Sequence, residues 1–406
     1  MTLDKISETP WLHELRPQGR DLIGRVGEVA EACAKRADEH DRAATFPGED
    51  FDDLAAAGLN AATVPREHGG LGLGPLNGDT LTLWLMTKEL AKADLSLGRC
   101  WEGHTNSLVL LHALASEQQQ ERWFDGIVRG GQKWVAWSGE PQARKPGEGT
   151  RFGTGITAVD GGWVLEGTKA FATSATGADW ALLLVNTAGP GGARHADAPA
   201  EGLLLLACDL SDPTVTVDES WWDPIGMRAT ASHVVEFDQT FLPQENLVGE
   251  PGAYLHEGWQ SAFTPHYAAS FLGAAEGAFD YALEYLTRQN KTADPYVHHR
   301  AGSMAVNLQT SHLWLAHVAQ FWDRGRRAEA QRAGNCARHL VEHLALETVE
   351  HCVRACGARS LVRPSPVERI LRDLTFYARH DNDDHVLATI GRATLGETHD
   401  SSFFKP

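Results

Sequence analysis

Short β-branched runs are confined to one internal block of this chain, and helical periodicity fills both sides of it. Between about residues 131 and 250 the strings "WVAWSGE", "TGITAVDGGWVLEGTKAFATSA", "DWALLLVNTA", "GLLLLACDL", "TVTVDES" and "SHVVEFDQTFLP" succeed one another. Their Val, Ile, Thr and aromatic content suits pleated strands, and turn-forming residues separate them. Asp160-Gly161-Gly162 signals a hairpin, and the Gly-, Pro- and Ala-rich "NTAGPGGARHADAPAEG" reads as a surface excursion between strands. Before the block, "LIGRVGEVAEACAKRADEHDRAA" repeats apolar residues at three- and four-residue steps, and "FPGEDFDDLAAAGL" reads as a helix opened by proline and closed at Gly58. After it, amphipathic helical segments are predicted at about 258–290, 300–330, 331–357 and 365–395. The glycine-rich "VPREHGGLGLG" lacks the G-x-G-x-x-G register and any strand–loop–helix surroundings, so no nucleotide-binding βαβ unit is predicted. The fold class is therefore α+β and multidomain. A helical domain spans 1–130, a β-domain 131–250 and a second helical domain 251–406.

Charge and cysteine content narrow the function classes. A formal net charge of −18, with 54 acidic and 36 basic residues, offers nothing to draw nucleic acid or an anionic membrane. The N-terminus has no apolar signal core and no apolar run reaches about 18 residues, which predicts a cytoplasmic protein with reduced thiols. Six cysteines show no zinc-ligand spacing, so no metal is expected from them. Cys352 and Cys356 share a helical face as two small apolar side chains.

One stretch is dense in ionisable groups. "RILRDLTFYARHDNDDH" places His380 beside Asp381, eight residues after Asp373. Two readings stand side by side. Either one of these groups moves a proton, or Asp381, Asn382 and Asp383 form a polar helix break that caps "DHVLATIGRATLG".

The order helices, β-domain, helices carries a series of strings that resembles the acyl-CoA dehydrogenase superfamily over nearly the whole chain. They are "FPGEDFDDLAAAGLNAATVPREHGGLGLG", "WSGEP", "VLEGTKAFATSATGADW", "DPIGMRATASHVVEFDQTFLPQENLVGEPG" and "CGARSL…VERILRDL". The resemblance implies an N-terminal helical domain, a central β-barrel-like domain and a C-terminal four-helix bundle. It also implies a flavin between the last two, FAD or alternatively FMN, and a homodimer or homotetramer. Trp137, Ser138 and Gly139 can supply a ring, a hydroxyl and backbone N–H groups to an isoalloxazine. By resemblance, Phe171 falls at the family's flavin-stacking position and Thr173 at the threonine near N5. Arg288 matches an arginine that reaches a neighbouring subunit's flavin, and Gly357 matches the C-terminal glycine turn. The chain departs from the family at "QARKPGEG", "RACGARS" and "SAFTPHY", where adenine and CoA contacts are usual.

The resemblance also gives the ionisable stretch a chemistry. Asp381 falls where many family members carry the glutamate that removes a substrate α-proton while hydride passes to flavin N5. Other members carry the base near the first bundle helix, here Phe263 or Thr264, with no carboxylate until Glu276. On this basis the leading expectation is α,β-dehydrogenation of an acyl thioester, with acyl-CoA as substrate and a separate electron acceptor. The alternative is the branch of two-component monooxygenases, which take reduced flavin from a reductase and show a pair similar to His380-Asp381. There the histidine manages a proton during oxygen chemistry. A third reading is a non-catalytic flavin-binding homologue.

Overall fold

The computed structural model describes residues 15–141, 153–187, 203–380 and 383–397. The N-terminal helices are α1 (Pro17–Ala43), α2 (Gly48–Ala56), α3 (Thr80–Ala93), α4 (Leu95–Leu114) and α5 (Glu117–Gly130). Local chemistry sets their ends. Pro17 opens α1, the Asp94 carboxylate accepts from the Ser96 N–H at 3.0 Å to start α4, and Ser116 and Gln119 form a reciprocal capping box on α5. Gly58, at φ 66°, closes the turn after α2 as its position in the sequence predicts. Most of α3 and α4 is buried all round, as fits helices packed inside the molecule.

The β-block folds as one curled sheet of β1 (Trp134–Trp137), β2 (Gly155–Val159), β3 (Gly162–Ala172), β4 (Trp180–Thr187), β5 (Leu203–Asp209), β6 (Val215–Asp218) and β7 (His233–Pro243). The order is β1-β4-β2-β3-β7-β6, with β5 antiparallel on β4. The predicted hairpin is present: β2 and β3 pair antiparallel and turn at Gly161, φ 76°. β1 and β4 run parallel, with Trp134 stacked on Trp180 at 5.2 Å. The expected excursion between β4 and β5 falls largely at 188–202, outside the described residues.

Two short helices, α6 (Ala253–His256) and α7 (Trp259–Ala262), lead into the long α8 (Thr264–Arg288), α9 (Pro295–Asp323) and α10 (Arg327–Cys356). The chain closes with α11 (Pro366–Tyr377) and α12 (Asp383–Thr394). This is the helix–sheet–helix-bundle architecture expected from the sequence. The segment predicted at 365–395 is two helices rather than one, because α11 ends at Tyr377 and a tight turn through Ala378–His380 follows. No described helix is long and apolar enough to cross a membrane.

Candidate active site

The end of β3 carries a concentration of backbone strain. Phe171 and Ser174 have φ 52° and 64°, and on the loop facing them Met227 and Ala231 have φ 58° and 43°. A non-glycine residue held in this region costs of order 1–3 kcal/mol. Four around one spot persist only because neighbouring groups fix them. The N–H groups of Ser174 and Ala175 donate to the carbonyls of Thr230 and Ala231 at 2.8 and 3.2 Å, riveting the two segments together.

The strain turns an aromatic ring outward. Phe171 is 56% exposed and meets Trp221 and Trp222 edge-on at 5.0 and 6.1 Å; Trp221 is itself 39% exposed. Beside this ledge, β1 turns Ala136 outward and Ser138 follows it to the surface, while Trp137 is buried beneath. The Trp137 indole N–H donates to the Thr173 carbonyl at 3.0 Å. Gly139 accepts from the Ala170 N–H at 3.0 Å, and a Cβ at Gly139 would stand 2.5 Å from the Ala170 oxygen. Only a glycine lets the two backbone segments lie this close.

A line of hydroxyls ends on the ledge. Thr230 donates to the Met227 carbonyl at 2.8 Å and lies 2.7 Å from Ser232, and Ser232 donates to the Thr173 hydroxyl at 3.1 Å. The Thr173 hydroxyl ends this line and can turn its one proton either to Ser232 or to a ligand.

The facing wall is helical. His380 lies between two tyrosine rings, 5.4 Å from Tyr267 on α8 and 5.7 Å from Tyr377 on α11. The Tyr377 hydroxyl donates to the buried Glu102 at 2.6 Å. Glu102 also receives Arg99 at 3.2 Å, Asn106 at 3.4 Å and Ser270 at 3.5 Å. Burial pushes this carboxyl up in pKa, against the opposing pull of Arg99 and the Tyr377 and Ser270 donors. Behind it, His266 Nδ1 bonds Asn106 Oδ1 at 2.7 Å and His266 Nε2 bonds the Thr87 hydroxyl at 2.7 Å. An amide oxygen only accepts, so the proton sits on Nδ1. Burial pushes His266 down to about 3, which keeps the ring neutral.

The ledge and wall are pinned to each other through α11. Trp222 meets Phe376 edge-on at 5.6 Å, one residue before Tyr377. Arg372 grips the Asp41 carboxylate at 2.7 and 3.1 Å and donates to the Ile225 carbonyl at 2.9 Å. Asp373 accepts from the Met227 N–H at 2.6 Å, and a Cβ at Gly226 would stand 2.3 Å from the Arg372 oxygen. Burial raises Asp373 to about 7, with Arg369 opposing and Asp94 adding to the rise. The Arg-Asp pair legible in "ERILRDL" thus ties α11 to the loop that carries Ile225 and Met227.

The structure gathers Ser138, Gly139, Phe171 and Thr173 at one edge of the sheet, puts Trp137 underneath as a support, and sets His380 on the adjoining wall. Asp381 lies outside the described residues. Arg288 ends α8, paired with Glu284 at 3.6 Å, about 30 Å along the helix from Tyr267, so one chain does not bring it to the ledge. Gly357 caps α10 at φ 77° and starts the turn toward α11. Sequence reasoning missed Trp221, Trp222, Arg99, Glu102, Tyr267 and Tyr377. The tryptophan doublet in "ESWWDP" and the charges inside the apolar "LSLGRCWEGHTNSLVLL" were the available signals.

Comparison with known proteins bears on the whole chain. Profiles of the N-terminal, middle and C-terminal domains of acyl-CoA dehydrogenase match residues 21–131, 136–240 and 266–384. YdbM of Bacillus subtilis (strain 168), provisionally named an acyl-CoA dehydrogenase, is 29% identical over 88% of this chain and 92% of its own. A dibenzothiophene monooxygenase of Rhodococcus qingshengii is 27% identical over 95% of this chain and 97% of its own. The crystal structure of TdsC from Paenibacillus sp. A11-2 with FMN and indole has a TM-score of 0.84 at 24% identity, covering 95% of this chain and 100% of that one. At that identity the likeness is one of fold.

Proposed function

The chain belongs to the acyl-CoA dehydrogenase family, and from that premise we propose that it is a flavin-dependent monooxygenase supplied with reduced flavin by a separate reductase. The residues present fit a flavin. Phe171 and Trp221 give an aromatic surface, the Ser138 and Thr173 hydroxyls give polar contacts, and Gly139 keeps the floor free of side chains. These contacts concern the ring system alone, so FMN and FAD both satisfy them. Bound reduced flavin would supply the electrons that activate dioxygen. Arg288, exposed at the end of α8, would meet a flavin only across a homodimer or homotetramer contact.

The single observation that carries monooxygenation over α,β-dehydrogenation is the wall behind His380. An acyl chain needs an apolar slot beside the reacting carbon. Here Tyr377 stands on a buried Glu102 ringed by Arg99, Asn106 and Ser270. Such a wall suits a compact substrate held against aromatic rings. Similarity over nearly its full length to a dibenzothiophene monooxygenase supports the same reading and reverses the order of preference drawn from sequence. In this role His380 delivers the proton with which one oxygen atom leaves as water, while Tyr267 and Tyr377 hold its ring. The dehydrogenase reading keeps Asp381 as its base.

The deciding experiment has two arms. Butyryl-CoA is mixed anaerobically with the oxidised flavoprotein, and dibenzothiophene is offered aerobically with reduced flavin. The expected result is no bleaching in the first arm and oxygenated product in the second. His380→Ala should bind flavin normally yet lose about 10²–10⁴-fold in product formation. Rapid bleaching by butyryl-CoA that Asp381→Asn abolishes and His380→Ala spares would reverse the assignment.

A further inference from the structure

A second cluster of ligating side chains lies at the start of α12, apart from the ledge. His339 and His343 are four residues apart on α10, so both rings leave the same helical face, with centroids 4.4 Å apart. α12 folds back so that Asp383, its first residue, meets them. Asp383 Oδ2 is 3.1 Å from His339 Nδ1 and 3.1 Å from His343 Nε2. The three candidate ligand atoms lie within 4.8 Å of one another. A tetrahedral divalent ion with bonds of about 2.0–2.2 Å holds its ligand atoms roughly 3.3–3.5 Å apart. The two oxygen–nitrogen separations already stand just short of that spacing.

Two further features separate this arrangement from an ordinary helix tie. The other carboxylate oxygen, Oδ1, is held by Arg338, whose side chain is fully buried. Carboxylates that bind metals are commonly oriented by such an outer hydrogen bond. Arg338 is also neutralised on its far side by the buried Glu342 at 2.7 Å, so the Asp383 charge is not used up in balancing it. An arginine alone would suffice to tie the helices; two imidazole nitrogens converging on the same carboxylate, His339 within 2.9 Å of Oδ1 and 3.1 Å of Oδ2, are extra. His343 is more than half exposed, which gives an ion an entry path and leaves the remaining coordination positions to water.

We infer that His339, His343 and Asp383 form a site for a divalent first-row transition ion, zinc being the best fit to two imidazoles and a carboxylate. The ion would staple the beginning of α12 to α10, three residues after His380. This assignment is independent of the oxygenation reading. The probe is zinc ion alone, titrated calorimetrically into tag-free, EDTA-dialysed full-length protein, with cobalt absorption as a second readout. The expected result is one ion per chain, a tetrahedral cobalt spectrum, and affinity lowered about tenfold or more in His343→Ala and in His339→Ala. His298→Ala, which removes an exposed histidine elsewhere, should bind as the unaltered chain does. Because the His343 ring is mostly in solvent, its loss leaves the fold in place, which circular dichroism verifies. Absence of saturable uptake at about tenfold excess of zinc, or equal uptake by His343→Ala, overturns the site and leaves a hydrogen-bonded helix tie.

Discussion

The two faces that meet at the candidate active site are built on opposite principles. The sheet face is strained and open: four non-glycine residues hold left-handed backbone, and the ring they carry stands in solvent. The helical face is relaxed and closed. Glu102 receives four donors, both His266 nitrogens are bonded, and every residue of this network sits on regular helix. Strain persists where a ligand is to be touched, whereas a saturated polar network fixes the shape of the space around it. Substitutions on the wall should therefore cost folding stability, and substitutions on the ledge should cost binding.

The largest effect tests the wall. Glu102→Gln strips Arg99 of its counter-charge and sets an amide among groups that donate, at a cost of about 3 kcal/mol in urea unfolding. A loss below about 0.5 kcal/mol would place the wall with ordinary surface positions and dissolve the contrast.

Next in size is the ledge. Phe171→Ala should lower flavin affinity about tenfold, equivalent to about 1.4 kcal/mol, as read by fluorescence titration. Its urea midpoint should barely move, because the ring it removes is already exposed. A stability loss as large as that of Glu102→Gln, with binding intact, would make the ring a packing element instead.

The last test concerns the join between the faces. Asp373 is raised from 3.8 in the unfolded chain to about 7 in the fold, chiefly by burial. An acid raised in this way favours the protonated fold, so its contribution is complete below about pH 4 and is lost as pH rises through about 7. The melting temperature should fall from pH 5 to pH 8. Asp373→Asn keeps an acceptor for the Met227 N–H and should flatten most of that slope; buried Asp94, raised by the same burial, retains some of it. Equal slopes in the two proteins would show that another group governs the junction.

Much of this architecture was legible because its causes are local. Period-two runs and period-3.6 runs occupy separate parts of the chain, and the hairpin at Gly161 and the turn at Gly58 follow from single residues. The strings around Ser138 and Phe171–Thr173 come together at one edge of the sheet. Trp137 and Ser138, however, are consecutive in sequence, and consecutive side chains on extended chain point to opposite sides. Which of them faces outward depends on which face the rest of the molecule covers. The answer was Ser138, with Trp137 turned inward to support Thr173.

The sequence by itself determined the order of the elements, their caps, and the family to which they conform. Tertiary structure alone decided the groupings that carry chemistry. Arg99, Glu102, His266, Tyr267 and Tyr377 come from three helices that are remote in sequence, with His380 on the turn after the last, and nothing in the spacing of one predicts the others. His339 and His343 announce a shared helical face, but their third partner lies forty residues on and arrives only when α12 folds back onto α10. Periodicity encodes the direction of a side chain within its own element. The meeting of side chains from different elements is set by packing, which each residue shares with the whole chain.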